Sequence, residues 1–411
     1  MRNVLPGLCF GIGMLAADVV VSAGGLEVKA IEYSRQQIYH SPQTPGYTCW
    51  VGAAATAAGE ILIGFTQATG PLQGRAPAAP EILHQLSWPP WDPEHDRHNP
   101  AYDMTGLEMA NIYRRSADNG LSWTAAGSDP FRSCMNGMSG SVAVLADGTV
   151  LRTVWGQYLP FDPELPKTGY VQRSADGART WGPPELLLDP AKYTAFPRGL
   201  QVLRDGRVIV IGGIARIPAG SCDRAGYSGQ ISPVLQVSAD NGRTWSAPVD
   251  VVPAAYCDKW GGEEFDAVEL ANGDLLCVFR KQRYDEANSR FAGGEERWQG
   301  VLKKRGTGWE PAAVGPAPFP HSGLPALLAA AEGVVLHVAT SGVHWTADAG
   351  TSWHELNVPG SGYYPAPVQT TDGWICVFWH RGGDDPYGKR DQWIGMDRFR
   401  LEVSGIAPER H

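Results

Sequence analysis

The chain has 411 residues, 43% hydrophobic and 10% aromatic, and a formal net charge of −9. That is ample apolar mass for a core, and the acidic balance argues against nucleic acid or an anionic membrane surface as a partner. Its 50 glycines and 32 prolines mark a chain rich in turns, and any negatively charged ligand would need basic groups gathered locally in a cleft.

Residues 1–24 carry one positive charge, an apolar run and a small-residue site at Val21-Ser22-Ala23. This is the pattern of a secretory signal, so a secreted or periplasmic location is expected. The run is too interrupted for a membrane span. Setting Cys9 aside, the cysteines are Cys49, Cys134, Cys222, Cys257, Cys277 and Cys376, with no metal spacing among them. Cys222 and Cys257 are candidates to pair on export. Cys277 and Cys376 sit inside apolar runs and read as buried thiols.

Two repeats organise the remainder. Ala58-Gly59, Asp147-Gly148, Asp205-Gly206, Asn272-Gly273, Glu332-Gly333 and Asp372-Gly373 each separate two apolar runs. They predict antiparallel hairpins, most with type I′ turns. An octapeptide, S/T-x-D-x-G-x-x-W, begins at Ser116, Ser174, Ser238 and Thr346, and a degenerate copy at Leu302 keeps only the glycine and tryptophan. Its Ser and Asp side chains should bond backbone N–H groups to hold a tight turn, with the Trp anchoring that turn to its own sheet. One unit is therefore strand, x-Gly turn, strand, loop, strand, octapeptide, strand. Six units predict an all-β, six-bladed propeller of four-stranded antiparallel blades. The sixth unit lacks an octapeptide, so its outer strands should come from IGMDRFRLEV near the C-terminus and LEVKAIEY near the N-terminus. The expected layout is a signal over 1–24, a propeller over 25–402 and a tail over 403–411, acting as a monomer.

The octapeptide resembles the Asp-box, and with six units the chain resembles the sialidase (neuraminidase) superfamily over roughly residues 40–400. The resemblance implies that Asp118, Asp176, Asp240 and Asp348 are structural and lie away from the active site. Calcium binding there is the sharper alternative, but a full oxygen-ligand loop is absent, and no metal or cofactor is implied.

In a propeller, the residues before each x-Gly turn and after the following strand gather at one mouth. That geometry gathers Tyr47, Cys49, Trp50, Gln67, Arg132, Asn136, Trp155, Gln157, Tyr158, Arg198, Arg216, Glu263, Glu264, Asp266, Arg280, Arg283, His321, Ser322, Tyr363, Tyr364, His380 and Arg381. Arginine, aromatic and carboxylate side chains together suit a charged sugar, although any propeller mouth is polar because it faces water.

Spacing to the x-Gly turns sharpens the site through the resemblance. It implies that Glu264 is the catalytic glutamate, Tyr364 the nucleophilic tyrosine and Arg280 an arginine gripping a substrate carboxylate bidentately. Tyr363 should point to the opposite face of its strand. The loop before the first octapeptide would supply the acid/base, for which Asp103 is the candidate, with Asp96 and Glu108 as rivals. The chain departs from the family where the first blade usually has an arginine, since Cys49 stands there, and again in the fifth blade. Arg132, Arg198, Arg297 or Arg381 are the available substitutes. Asp92, Glu94, His95, Asp96 and His98 in a long insertion read better as a solvated loop than as a metal cluster. Trp88 and Trp91 there would either stack on sugar or pin the loop.

These features point to a retaining, exo-acting glycoside hydrolase releasing a terminal acidic sugar, with a glycan as its partner. The alternatives are a hydrolase or lyase acting on a uronate or other sugar, and a sugar-binding propeller without catalysis.

Overall fold

Six identical turns set the architecture. In each, the residue three before the glycine accepts from the glycine N–H and donates to the carbonyl of the residue after it, as in Gly148 N–H to Leu145 O at 2.9 Å and Leu145 N–H to Thr149 O at 2.8 Å. Only the glycine is left-handed, with φ between 83° and 89° across Gly59, Gly148, Gly206, Gly273, Gly333 and Gly373. This is a three-residue hairpin with a glycine bulge, which corrects the type I′ expectation. Because one position alone needs φ > 0, Ala58 and Glu332 are tolerated before the glycine.

The structure is a computed structural model that describes residues 25–76, 78–79, 105–130, 142–154, 166, 168–216, 231–257, 259–262, 264–382 and 390–405. Blade 1 contains β2 (Tyr47–Ala55), β3 (Ile61–Thr69), β4 (Glu108–Ser116) and β5 (Thr124–Pro130). Blade 2 contains β6 (Val142–Val144), β7 (Val150–Val154), β8 (Tyr170–Ser174) and β9 (Glu185–Leu186). Blade 3 contains β10 (Tyr193–Val202), β11 (Val208–Arg216), β12 (Ser232–Ser238) and β13 (Val249–Asp250). Blade 4 contains β14 (Phe265–Glu269), β15 (Leu275–Asp285), β16 (Arg290–Arg305) and β17 (Gly308–Pro316). Blade 5 contains β18 (Ala326–Ala329), β19 (Val335–Ala339), β20 (Gly342–Thr346) and β21 (His354–Glu355). Blade 6 contains β22 (Tyr363–Gln369), β23 (Ile375–His380) and β24 (Trp393–Gly405), and its outermost strand is β1 (Leu26–His40) from the start of the chain. All neighbouring strands pair antiparallel. The six-bladed propeller and its closure by both chain ends are as the sequence reads.

Each junction between adjacent blades has its own apolar core, because inner strands bury both faces. Leu62 and Tyr113 meet Val142 and Val150 between blades 1 and 2. Val268, Leu276 and Val278 meet Leu327 and Val335 between blades 4 and 5. Val338 and Trp345 meet Val377 and Phe399 between blades 5 and 6, and Ile63 and Phe65 meet Phe378 and Met396 where the ring closes. Cys277 and Cys376 are buried thiols within these layers, as expected.

The four full octapeptides lie between the third and fourth strands of their blades. Asp118, Asp176, Asp240 and Asp348 each accept from the hydroxyl two residues earlier and from the backbone and hydroxyl four residues later, as in Ser238 Oγ at 2.7 Å and Thr244 N at 2.8 Å. The tryptophans do not stay on their own sheets. Trp123 meets Phe378 of blade 6 edge-on at 5.5 Å, Trp181 meets Tyr113 of blade 1 at 5.2 Å, and Trp353 meets Phe319 beyond blade 4 at 5.3 Å. Each is a wedge between its own blade and the preceding one, since the turn ends where the apolar junction is still open. In an antiparallel meander these turns share one end of the ring with the x-Gly turns. Asn119 of the first octapeptide accordingly donates to Asp372 of a blade 6 turn at 2.8 Å. The opposite end is left for a site.

Residues 1–24, with the expected signal, lie outside the described residues, as do Cys134, Cys222 and most of the long insertion with Trp88, Trp91, Asp92, Glu94, His95, Asp96 and His98. β24 runs to Gly405, and 406–411 lie outside as well.

Candidate active site

Three of the inner strands break register where they reach the mouth. In β2, Trp50 and Val51 oppose one residue between the pairs Cys49–Thr66 and Gly52–Gly64. In β10, Arg198 is the extra residue between Pro197–Gly212 and Gly199–Ile211. In β22, Tyr364 and Pro365 fall between Tyr363–His380 and Ala366–Phe378. A bulge re-aims side chains and is common beside functional sites. Trp50 and Tyr364 both adopt φ > 0, at 54° and 53°. That is an outlier conformation for bulky residues, costing of order 1–3 kcal/mol and held by its surroundings. Trp50 N–H donates to His380 Nδ1 at 3.2 Å, and the His380 ring stacks on Tyr364 with centroids 5.8 Å apart.

The bulge corrects the reading of Tyr363. Strict alternation would put it on the other face. The extra residue cancels that flip, so the rings of Tyr363 and Tyr364 meet at 4.7 Å and pack against the same apolar cluster with Trp50 and Leu324.

At the centre, the Tyr364 hydroxyl donates to Glu264 Oε1 at 2.6 Å, and both side chains are buried. Glu264 stands just before β14, where its carbonyl accepts from Arg280 N–H at 2.8 Å and extends the ladder. Its other carboxylate oxygen pairs with Arg280 Nη1, while Arg198 Nη2 lies 3.7 Å from Oε1. Burial alone would raise this carboxyl's pKa. The charges of Arg280 and Arg198, with the Tyr364 hydroxyl, outweigh burial and hold it well below the usual carboxylate range.

Arg280 is also held from its far side, Nη2 lying 2.7 Å from Glu295 Oε1. Both terminal nitrogens therefore rest on protein carboxylates, Glu264 on one side and Glu295 on the other. Glu295 in turn takes His321 Nε2 at 2.8 Å. Burial and the neighbouring Arg297 lower the His321 pKa and favour its neutral form. Arg297 is the cross-strand partner of Arg280 and is 4% exposed. Its Nη2 donates to the carbonyls of Ser322 and Gly323 at 3.1 and 2.8 Å, whereas Nε and Nη1 have no hydrogen-bond partner among the described residues. Burial first, and then repulsion from Arg280, lower its pKa to about 10, so it stays cationic at neutral pH.

Asp266 does not reach the mouth. It is half-buried in the inner ring, where it accepts from Leu327 N–H of blade 5 at 2.7 Å and from Gln201 of blade 3 at 3.2 Å. Burial, partly opposed by those hydrogen bonds, pushes its carboxyl up to about 7. Arg283 is largely exposed beside Glu296, and Arg381 lines a separate groove between blades 5 and 6. The candidates Asp103, Arg132, Asn136, Trp155, Gln157, Tyr158 and Glu263 lie outside the described residues. Glu295 was not foreseen. It belongs to an extension of the β15–β16 hairpin, and the run EERW before Gln299 was its one sequence signal.

Among the described residues no group of His, Cys, Asp and Glu is arranged to hold a metal ion, and no helix is long and apolar enough to cross a membrane.

No family model and no curated protein matches the chain. Solved structures do. A protein of unknown function from Dyadobacter fermentans is 19% identical, with 91% of this chain and 99% of that one covered and a TM-score of 0.58. The GH93 α-L-arabinofuranosidase of Fusarium graminearum, bound to arabinobiose, is 14% identical over 90% and 98% of the two chains, with a TM-score of 0.55. The intramolecular trans-sialidase from Ruminococcus gnavus, bound to oseltamivir carboxylate, is 11% identical over 88% and 96%, with a TM-score of 0.53. At these identities the likeness establishes the fold: the chain is a six-bladed propeller of the shape that these proteins share.

Proposed function

We propose that the chain is a retaining, exo-acting glycoside hydrolase that releases a terminal acidic sugar from a glycan. The observation that carries this reading is the Tyr364–Glu264 pair at 2.6 Å, set among the guanidinium groups of Arg198, Arg280 and Arg297. Two of the similar folds support a glycosidase, being named as an α-L-arabinofuranosidase and a trans-sialidase.

The chemistry follows from charge. A sugar with a carboxylate beside its reacting carbon repels an anionic nucleophile, whereas a tyrosine hydroxyl approaches as a neutral group. An unperturbed tyrosine titrates near 10 and needs a base at neutral pH. Glu264 takes the Tyr364 proton as the phenolic oxygen bonds to the anomeric carbon and the glycosidic bond breaks. Asp103 is the proposed donor of a proton to the leaving oxygen. Water then attacks the tyrosyl-glycoside with Asp103 as base, and the proton on Glu264 returns to Tyr364. The arginines that make Glu264 a weak base also supply its activation. A bound anion offsets their charge, so the carboxylate's proton affinity rises when substrate is present.

Arg297 is the receptor for the substrate anion, because its buried Nε and Nη1 have no hydrogen-bond partner among the described residues. A second reading rests on Arg280, whose terminal nitrogens are both held by Glu264 and Glu295. That arrangement suits a neutral sugar with one guanidinium near it. The test is hydrolysis of a panel of aryl glycosides carrying sialic acid, uronic acid or arabinofuranose, with wild type and Arg297→Gln. Turnover of an acidic glycoside, with KM raised about 10-fold or more in the variant, supports the proposal. Turnover of the arabinofuranoside alone gives the second reading, and no turnover on any member removes both.

A further inference from the structure

A groove of about 820 Å³ opens between blades 5 and 6 at the same end as the Tyr364–Glu264 pair. Tyr363 joins the two spaces, because it lines the groove and its ring touches that of Tyr364. Its lining includes Arg35, Arg381, Arg390 and Trp393. Arg35 is fixed, its guanidinium bound to Asp397 and to the Gly360 carbonyl at 2.7 Å. Arg381 and Arg390 are exposed, and the Arg381 head lies 5.8 Å above the Trp393 ring. Asp391 is the acidic residue of the lining, and its carboxylate already accepts from His40 and from Gly46 N–H. In a chain of net charge −9, Arg35 is neutralised by Asp397, and the exposed Arg381 and Arg390 against the engaged Asp391 leave a local cationic excess.

Resting on the hydrolase reading, we propose that this groove binds the leaving arm of the glycan, and that the arm is itself acidic. The terminal sugar would sit at Tyr364 and the chain behind it would pass Tyr363. Anionic groups on the arm would then meet Arg381 and Arg390, with a sugar face against Trp393. The enzyme would thus select polyanionic glycans rather than a neutral chain with one acidic end.

The leaving arm is also the product, so the proposal is testable without turnover. Tetragalacturonate and neutral maltotetraose are titrated calorimetrically at low salt into wild type, Arg381→Gln/Arg390→Gln and Arg297→Gln. Both groove arginines are exposed, and an unchanged thermal midpoint verifies that the double variant is folded. The expected result is binding of tetragalacturonate but not maltotetraose, weakened about 10-fold or more in the double variant whether or not Arg297→Gln also weakens it. Equal binding of the two sugars, no binding of the acidic one, or loss in Arg297→Gln alone overturns the proposal. A protein that binds the acidic probe yet hydrolyses nothing loses the hydrolase reading. One that hydrolyses acidic glycosides yet fails to bind the probe loses only the groove.

Discussion

Tyr364 and Glu264 approach to 2.6 Å from the inner edges of blades 6 and 4, which are not neighbours in the ring. A tyrosine that only stacked on sugar would have no need of this contact. Tyr364→Phe keeps the ring and removes the oxygen. On whichever glycoside is turned over, we expect kcat to fall on the order of 10²–10⁴-fold with KM little changed. Full activity in steady-state assays would leave Tyr364 as a platform.

The ionisation of Glu264 depends on Arg280 and Arg198 overcoming burial. Its depressed pKa keeps the base ionised at ordinary pH, and that form is lost only as pH falls below the usual carboxylate range. Arg280→Gln removes the largest opposing charge and leaves burial to raise the pKa. The acidic limb of the kcat profile should therefore move to higher pH by at least one unit, about 1.4 kcal/mol. A profile whose acidic limb does not move would separate that limb from Glu264.

Asp266 gives the opposite sign in stability. Its carboxyl is raised to about 7 by burial, so between about pH 4 and pH 7 the folded protein holds a proton that the unfolded chain has released. This contribution is fully present below pH 4 and is lost as pH rises through 7, at up to about 1.4 kcal/mol per pH unit. Denaturant titrations of wild type and Asp266→Asn across pH 4–8 should show wild type losing stability relative to the variant. Parallel curves would count against a protonated Asp266.

The octapeptide aspartates should affect stability and not chemistry. Asp348 binds Thr346, Ser352 and the Ser352 N–H at 2.6–2.9 Å. Asp348→Ala should cost about 1–3 kcal/mol in chemical denaturation and leave kcat/KM intact. Loss of activity in a folded variant would show that this end of the ring takes part in the reaction.

The blade count was legible because glycine and tryptophan punctuate at fixed places, and a hairpin glycine must be left-handed whatever surrounds it. Glu264 and Tyr364 were legible for the same reason, since their distances to Asn272-Gly273 and Asp372-Gly373 are set along single strands. Tyr363 was misread because a bulge changes side-chain parity without leaving a composition signal. Asp266 was misread because its partners, Leu327 and Gln201, come from blades on either side. Glu295 and Arg297 are brought beside Arg280 by the long β15–β16 pairing, a tertiary register that the order of residues along one strand does not encode.

Blade 6 has a consequence for how the molecule is made. Among the described residues Leu26–His40 pairs only with Trp393–Gly405, so the longest-range pairing there is between the earliest strand and the latest. A ribosome delivers them in that order. Until the last strand emerges, the first has no ladder to join and the ring stays open. An unpaired strand of 15 residues invites pairing with another chain. Glu27, Lys29, Glu32 and Arg35 punctuate its apolar positions, the kind of charge that discourages such encounters during the wait. Expression yield, more than folded stability, is where neutralising Glu27, Lys29 and Glu32 should be felt, since Arg35 also pairs with the buried Asp397 of the finished blade.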